Sequence, residues 1–319
     1  MARINTKKSA IFIKSGATLP VGADGFLEVT EELSVNPTVK VEEFKRVNGL
    51  LGSNDSYADT CDTTVSLSLT HNMRTSNKAG DALDTVPEYG EILKLGGFTE
   101  TVGVDSVVYK NSQTPAKGSV CVYIDGNKHS STNGAVADVK MDFTVGMPAK
   151  ITATLSAFLD NEGVATTATN PTVTLSTEDL MVVGCTDIIS TDGTAIKADK
   201  VGIEVNPQVD KFYGMGIKEY AISDYNIKIT ADFYPENANY NDAITKINAG
   251  TVEALLIKLN TGTAGALVDG KSVLVTATLG KVTSFTDSND KSNLKRSVTW
   301  MLQGNSAGEC ISIAHGNHS

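Results

Sequence analysis

Few residues of this chain have the types and spacing to carry chemistry. The most explicit is Gly265-Ala266-Leu267-Val268-Asp269-Gly270-Lys271-Ser272, which satisfies the G-x-x-x-x-G-K-S phosphate-loop pattern. Such a loop holds phosphates with the N-terminal amides and positive dipole end of a helix that follows at once. Here Lys271 is followed by Ser-Val-Leu-Val-Thr-Ala-Thr-Leu-Gly, a β-branched run closed by glycine. That composition predicts a strand entered through an Asp269-Gly270 turn, with no nucleotide site. Gly214-Met215-Gly216 lacks the third glycine of a dinucleotide loop and reads as a turn or bulge. Asp287-Ser288-Asn289-Asp290 lacks the later glycine and glutamate of a calcium loop and reads as a polar hairpin tip. Cys61, Cys121, Cys185 and Cys310 are far apart and read as small buried residues; none of the histidines at 71, 129, 315 and 318 falls at ligand spacing from them. His315-Gly316-Asn317-His318 reads as a solvated tail. With no nucleophile elbow G-x-S-x-G in the sequence, the expectation is a non-enzyme with no cofactor and no metal.

Composition narrows the partners. The chain has 319 residues, with 27 Lys plus Arg against 37 Asp plus Glu, a formal charge of −10. Gripping a nucleic-acid duplex needs clustered cations that displace counterions, so that activity is excluded as the main one. The apolar run Ala10-Ile11-Phe12-Ile13 is shorter than the roughly 7 to 15 residues of a signal-peptide core. No window approaches the ~18 apolar residues of a membrane span. The expected site of synthesis is the cytoplasm, with no membrane insertion by this chain.

The elements that would position any site form a weak internal repeat. A strand-like run Thr64 to Leu69 leads to the helix-like Pro87 to Gly97 and then to the strand Ser119 to Ile124. A second pass runs Ile227 to Ala231, Tyr240 to Gly250 and Ser272 to Ala277. Gly97 and Gly250 keep the same separation as Val120 and Val273. Alternation at Val39/Val41 and Val120/Val122/Ile124, with Asp125-Gly126 as a hairpin turn, predicts a mainly β fold, a β-sandwich or barrel with short flanking helices, in two tandem modules. Tyr89, Ile92 and Leu93, and Ile244 and Ile247 with Ala243, are the expected packing faces of the two helices; Asn239 or Asn241 is the expected N-cap and Gly250 the stop of the second. The expected divisions are an irregular N-terminal arm over 1–36, a first module over 37–160, a linker with connecting strands over 161–198 and a second module over 199–319. The polar stretch His71 to Val86, without a period and longer than its counterpart Pro235 to Asn239, is the expected contact loop, with His71, Arg74, Lys78, Asp81 and Asp84 as its candidate assembly residues.

The run Tyr89-Gly90-Glu91-Ile92-Leu93-Lys94-Leu95-Gly96-Gly97-Phe98-Thr99-Glu100-Thr101-Val102, then Val107-Val108-Tyr109 and Gly118 to Gly126, resembles the tail tube (major tail) proteins of long-tailed bacteriophages. Gly134 to Ile151 is similar to the strand pair that follows in that family. The likeness covers about 37–158 and is looser over the second half. It implies a virion protein whose rings stack into a tube, with inner sheets joined into a β-lined channel through which DNA is ejected without specific binding. It also implies assembly in the host cytoplasm, self-association, and contacts with other tail proteins such as the tape measure, terminator and baseplate. Single-module subunits of that family form rings of six, so two modules per chain imply rings of three with pseudo-sixfold symmetry, against six chains whose second half is an outer decoration. An acidic channel would suit passage of a polyanion. The competing expectation is a carbohydrate-binding or adhesive β-sandwich, disfavoured by an aromatic content of 6% and by Trp300, the sole tryptophan, lying in an apolar strand.

Overall fold

The computed structural model describes residues 9–20, 24–45, 54–74, 86–103, 106–173, 175, 179–184, 188–236, 241–259 and 272–316. In chain order the first half runs β1 (Ser9–Ser15), β2 (Phe26–Leu27), β3 (Thr38–Lys45), β4 (Asn54–Asn72), α1 (Gly90–Leu95), β5 (Phe98–Val102), β6 (Ser106–Asn111), β7 (Gly118–Ile124), β8 (Asn127–Thr144) and β9 (Lys150–Phe158). A short β10 (Thr166–Thr167) follows. The rest comprises β11 (Ile188–Thr191), β12 (Thr194–Ile196), β13 (Ala198–Gly214), β14 (Ile217–Phe233), α2 (Asp242–Ala249), β15 (Val252–Leu259), β16 (Ser272–Asp290), β17 (Asn293–Leu302) and β18 (Ser312–Gly316). The fold is mainly β and antiparallel, with two short helices, as the alternation of the sequence requires.

One order of pairing occurs twice. In the first half β3, β4, β9 and β8 lie side by side, and β1, flanked by β2, pairs with β7, which pairs with the first part of β8. In the second half β13, β14, β17 and β16 lie side by side, and β11, flanked by β12, pairs with β15, which pairs with the first part of β16. Each helix sits in the chain directly after the second strand of its four. β8 and β16 serve two neighbours by turning at one point: Ala135 opposes both Gly118 and Ala157, and Gly280 opposes both Glu253 and Leu302. A β-carbon on Gly280 would stand 2.8 Å from Leu255 Cδ1, so the leucine would have to shift to admit the alanine that occupies the crossing in the first half. Registers agree across the halves. The row Leu67, Leu155, Ala137 in β4, β9 and β8 has as its counterpart Ile229, Trp300, Val282 in β14, β17 and β16.

These pairings correct the expected correspondence of Val120 with Val273. β7 matches β15, and Val273 lies in β16, the counterpart of β8. The equal spacing arises because the first half carries an added hairpin, β5–β6, directly after its helix. That hairpin reaches the second half through β18, which pairs with β6 on one side and β16 on the other.

A single apolar cluster, from Ile11 to Ile313, runs through both halves. β1 is part of it, so the expected irregular arm over 1–36 contains a strand paired along the whole of β7. Ile11, Phe12 and Ile13 are all buried because both faces of β1 are covered, which removes the alternation by which a strand is recognised. Phe12, Cys121 and Tyr123 form a small second cluster on the outer side of β1 and β7. The expected linker over 161–198 likewise contains β11 and β12, which complete the second set through β15.

Candidate assembly surface

β8 and β13 join the two four-stranded sets edge to edge, making one eight-stranded run β3–β4–β9–β8–β13–β14–β17–β16. On its core side the joint is closed by Val139, Met141 and Phe143 against Val205, Ile203 and Val201, all buried. On its other side it is polar, and Lys140 meets Glu204 at 3.2 Å.

That polar side continues across the run. Ser66, Ser68 and Thr70 of β4 face Ser156, Thr154 and Thr152 of β9, with Ser68 Oγ 3.4 Å from Thr154 Oγ1. The corresponding pair in the second half, Thr230 and Thr299, is 3.2 Å apart. Charges here occur as neighbours of opposite sign: Lys200 with Asp142 at 3.9 Å, and Lys295 with Asp199 at 2.7 Å and Asp232 at 4.0 Å. The face is therefore hydroxyl-rich, with several of its charges set as neighbours of opposite sign.

The run ends on two edges that carry no partner among the described residues. Beyond Gly280, β16 from Ser284 to Asp290 pairs with β17 alone, and β3 pairs with β4 alone. Where β13 borders β14 at Val201 to Val205, the first half places residues 33–37 beside β4. Leu33 is buried there, Val35 packs on the core, and Thr30 N donates to Thr70 O at 2.9 Å. The β13–β14 hairpin extends past the core and ends at the turn Met215-Gly216, as Gly214-Met215-Gly216 predicted, with φ of 78° at Gly216. Phe212, Tyr213, Met215 and Ile217 are exposed around that turn, an apolar tip that the glycines signalled only as a turn.

The expected assembly residues separate. His71 is the penultimate residue of β4 and is buried, with its Nδ1 2.6 Å from Glu28 O, so it belongs to the sheet and not to the loop. Burial holds its imidazole below the usual histidine range. Arg74 makes a β-bridge to Leu180 and a bidentate pair with Glu28 at 3.0 and 3.1 Å, which ties it down beside the sheet. Lys78, Asp81 and Asp84 lie outside the described residues. Of the helix positions, Tyr89, Ile92 and Leu93 are fully buried and Ile247 packs on the core, whereas Ile244 is exposed, because α2 buries only Ala243 completely. Asn241 precedes α2 without a side-chain cap bond, and Gly250 ends it at φ 64°. At the end of α1, Gly97 has φ 89°.

Several residues read in the sequence as inert or terminal are structural. His315 is buried in β18, and its Nδ1 lies 2.8 Å from Tyr89 Oη, so His315 and Gly316 belong to a strand and not to a solvated tail. Its strand position was hidden by the polar residues Asn317 and His318, which lie outside the described residues. Trp300 is buried and donates Nε1–H to Glu253 Oε2 at 2.8 Å, while Lys246 of α2 pairs with the same carboxylate. Ser272, the last residue of the phosphate-loop pattern, begins β16, so the motif enters a strand and lacks the helix that phosphate binding requires. Asp287 to Asp290 lie on β16, and the turn itself is Lys291-Ser292. Cys121 is buried, Cys310 half-buried and Cys61 exposed; Cys185 lies outside the described residues. No protein-family model and no curated protein matches the sequence.

Proposed function

We propose that this chain is a structural subunit of the tail tube of a long-tailed bacteriophage, polymerising into stacked rings through which DNA passes. The observation that carries this reading is the eight-stranded run built from two sets with one pairing order, apolar on one side and hydroxyl-rich on the other. A sheet with one such polar face and two open edges suits closure into a wide cylinder by neighbouring copies. Each chain fills two equivalent places, so three chains complete a ring with pseudo-sixfold symmetry. Three runs supply about 24 strands, more than the 16 to 18 that already leave an aqueous channel in porins.

The chemistry of the polar face supports passage without binding. Every cation fixed opposite a phosphate retards a sliding polyanion, and here Lys140, Lys200 and Lys295 of the face already have carboxylate neighbours. Hydroxyls present water-exchangeable contacts to the backbone with no net charge. The particle is then a virion component assembled in the host cytoplasm, with other tail proteins engaging the two ends of the tube.

The test is negative-stain microscopy of concentrated full-length protein, together with the mass of any isolated ring. Rings or tubes with a three-chain mass support the reading, and a six-chain mass overturns the threefold count. Dispersed monomers with affinity for glycans would replace it with the carbohydrate-binding alternative.

A further inference from the structure

The second half acts as an internal control for buried positions of the first. Gly118 and Glu253 stand opposite the turning points Ala135 and Gly280, so two and four residues on, Val120 and Val122 match Leu255 and Ile257. Their partners on β8 and β16 then correspond as well, Ser131 with Ala277 and His129 with Val275. Ala277 and Val275 are buried and apolar. In the first half the same two places carry polar groups. Ser131 is 1% exposed, and neither its Oγ nor His129 Nδ1, both shut off from solvent, has a hydrogen-bond partner among the described residues. An unpaired buried donor or acceptor bears its full desolvation penalty, so two such groups side by side persist where something else satisfies them.

Both residues border one cavity. It lies on the core side of β7 and β8, is walled by Val35, Leu67, Val122 and Leu159, and encloses about 20 Å³. One water needs about 10 to 15 Å³, so there is room for one and not for a larger ligand. The other side of the imidazole fixes which group donates. A backbone hydrogen bond from Gly163 favours the protonated ring, as a bond to a carbonyl does, and with Nδ1 unpartnered it falls to Nε2–H. Nδ1 is therefore a bare acceptor, and the Ser131 hydroxyl is a donor. We propose that this cavity is a binding site for one structural water, which accepts from Ser131 Oγ–H and donates to His129 Nδ1. Residues two apart on a strand stand roughly 6.6 Å apart along it, a gap that a water bridges and a direct bond does not. Through the imidazole, the water ties the start of β8 to the turn at Gly163. The site goes beyond the tube reading and does not depend on it.

The test is a crystal structure of the unaltered chain at a resolution that shows ordered waters, with nitrogen-15 NMR of the His129 ring and two variants. The expected result is one density peak in the cavity, roughly 2.5 to 3.2 Å from both Ser131 Oγ and His129 Nδ1. The Nδ1 resonance should be that of an unprotonated nitrogen. In His129→Val with Ser131→Ala, which copies the second half, the peak should vanish. Ser131→Ala alone takes a partner from the water, so its urea midpoint should fall; removing a hydroxyl that had no partner would leave the midpoint unchanged or raise it. An empty cavity, a peak bonded to only one of the two atoms, a protonated Nδ1, or an unchanged or raised midpoint would each overturn the site. If the double variant fails to fold, the density and the ring resonance of the unaltered chain decide the matter.

Discussion

His71 and Phe233 occupy the same place in the two halves, opposite Ile151 in β9 and Arg296 in β17. The imidazole is buried, its Nε2 finds no partner among the described residues, and its pKa is lowered chiefly by desolvation. A lowered histidine pKa means that the unfolded chain takes up the proton first as pH falls. Stability is therefore full above the unfolded value and is lost as pH drops below about 6.5 toward the folded value. Denaturant melts at pH 7 and pH 5 should show this loss, and His71→Phe, which copies the second half, should flatten it. A second residue-scale prediction concerns Glu253, buried against Trp300 Nε1 and paired with Lys246. Removing one partner of a buried pair leaves an uncompensated charge, so Lys246→Met should cost roughly 3 kcal/mol, and Lys246→Met with Glu253→Gln, which removes the charge but keeps an acceptor for Trp300 Nε1–H, should recover most of it.

Each helix is held by a glycine at its end and by what packs over that glycine. At Gly97 the backbone has φ 89°, and an added β-carbon would stand 2.2 Å from Tyr225 Oη, which itself donates to Gly97 O at 2.8 Å and Ser112 O at 3.1 Å. This residue of β14 thus fastens the second half to the end of α1. Burial pushes the Tyr225 phenol up to about 12, so it stays a neutral donor across the ordinary range. Gly97→Ala should cost about 2 kcal/mol or more, from left-handed strain and displacement of the tyrosine, read as a lowered urea midpoint. The stretch between Arg74 and Val86 carries Lys78, Asp81 and Asp84 and is the contact loop expected from the sequence. Deleting residues 76–84 should leave a folded monomer by circular dichroism that fails to polymerise; normal tubes from the deletion would refute that role.

At the scale of the molecule, the formal charge of −10 per chain opposes the packing of chains into rings. That repulsion is screened by salt, with a Debye length of ~10 Å at 0.1 M and ~3 Å at 1 M. Ring formation should therefore rise with ionic strength, measured by sedimentation or light scattering between low and high salt. A fall in assembly with salt would show instead that attraction between opposite charges holds the ring together. The polar face carries a separate prediction of the proposed tube: Ser68→Lys and Thr230→Lys, at corresponding places in β4 and β14, should leave rings intact while conferring salt-sensitive DNA retention that the unaltered protein lacks.

The mainly β fold was legible in the alternation of Val120, Val122 and Ile124 and in turns such as Asp125-Gly126, because a half-buried strand and a two-residue hairpin depend on neighbours in sequence. The two helices, the glycine at the end of each and the failure of Gly265 to Ser272 as a phosphate loop follow from the same local physics. β1 was not legible, since burial on both faces erases the period of Ile11 to Ile13, nor was the His315 end of β18, where burial comes from β6 and β16 on either side and from Tyr89 across from it. The match of β7 with β15 was also beyond the sequence, where the inserted β5–β6 hairpin imitated an equal spacing. Which residues form the assembly surface depends on which strand borders which. Only the tertiary structure decided that β8 is set against β13 and that the far part of β16 and β3 have no outer neighbours among the described residues, because strand pairing joins residues far apart in the chain.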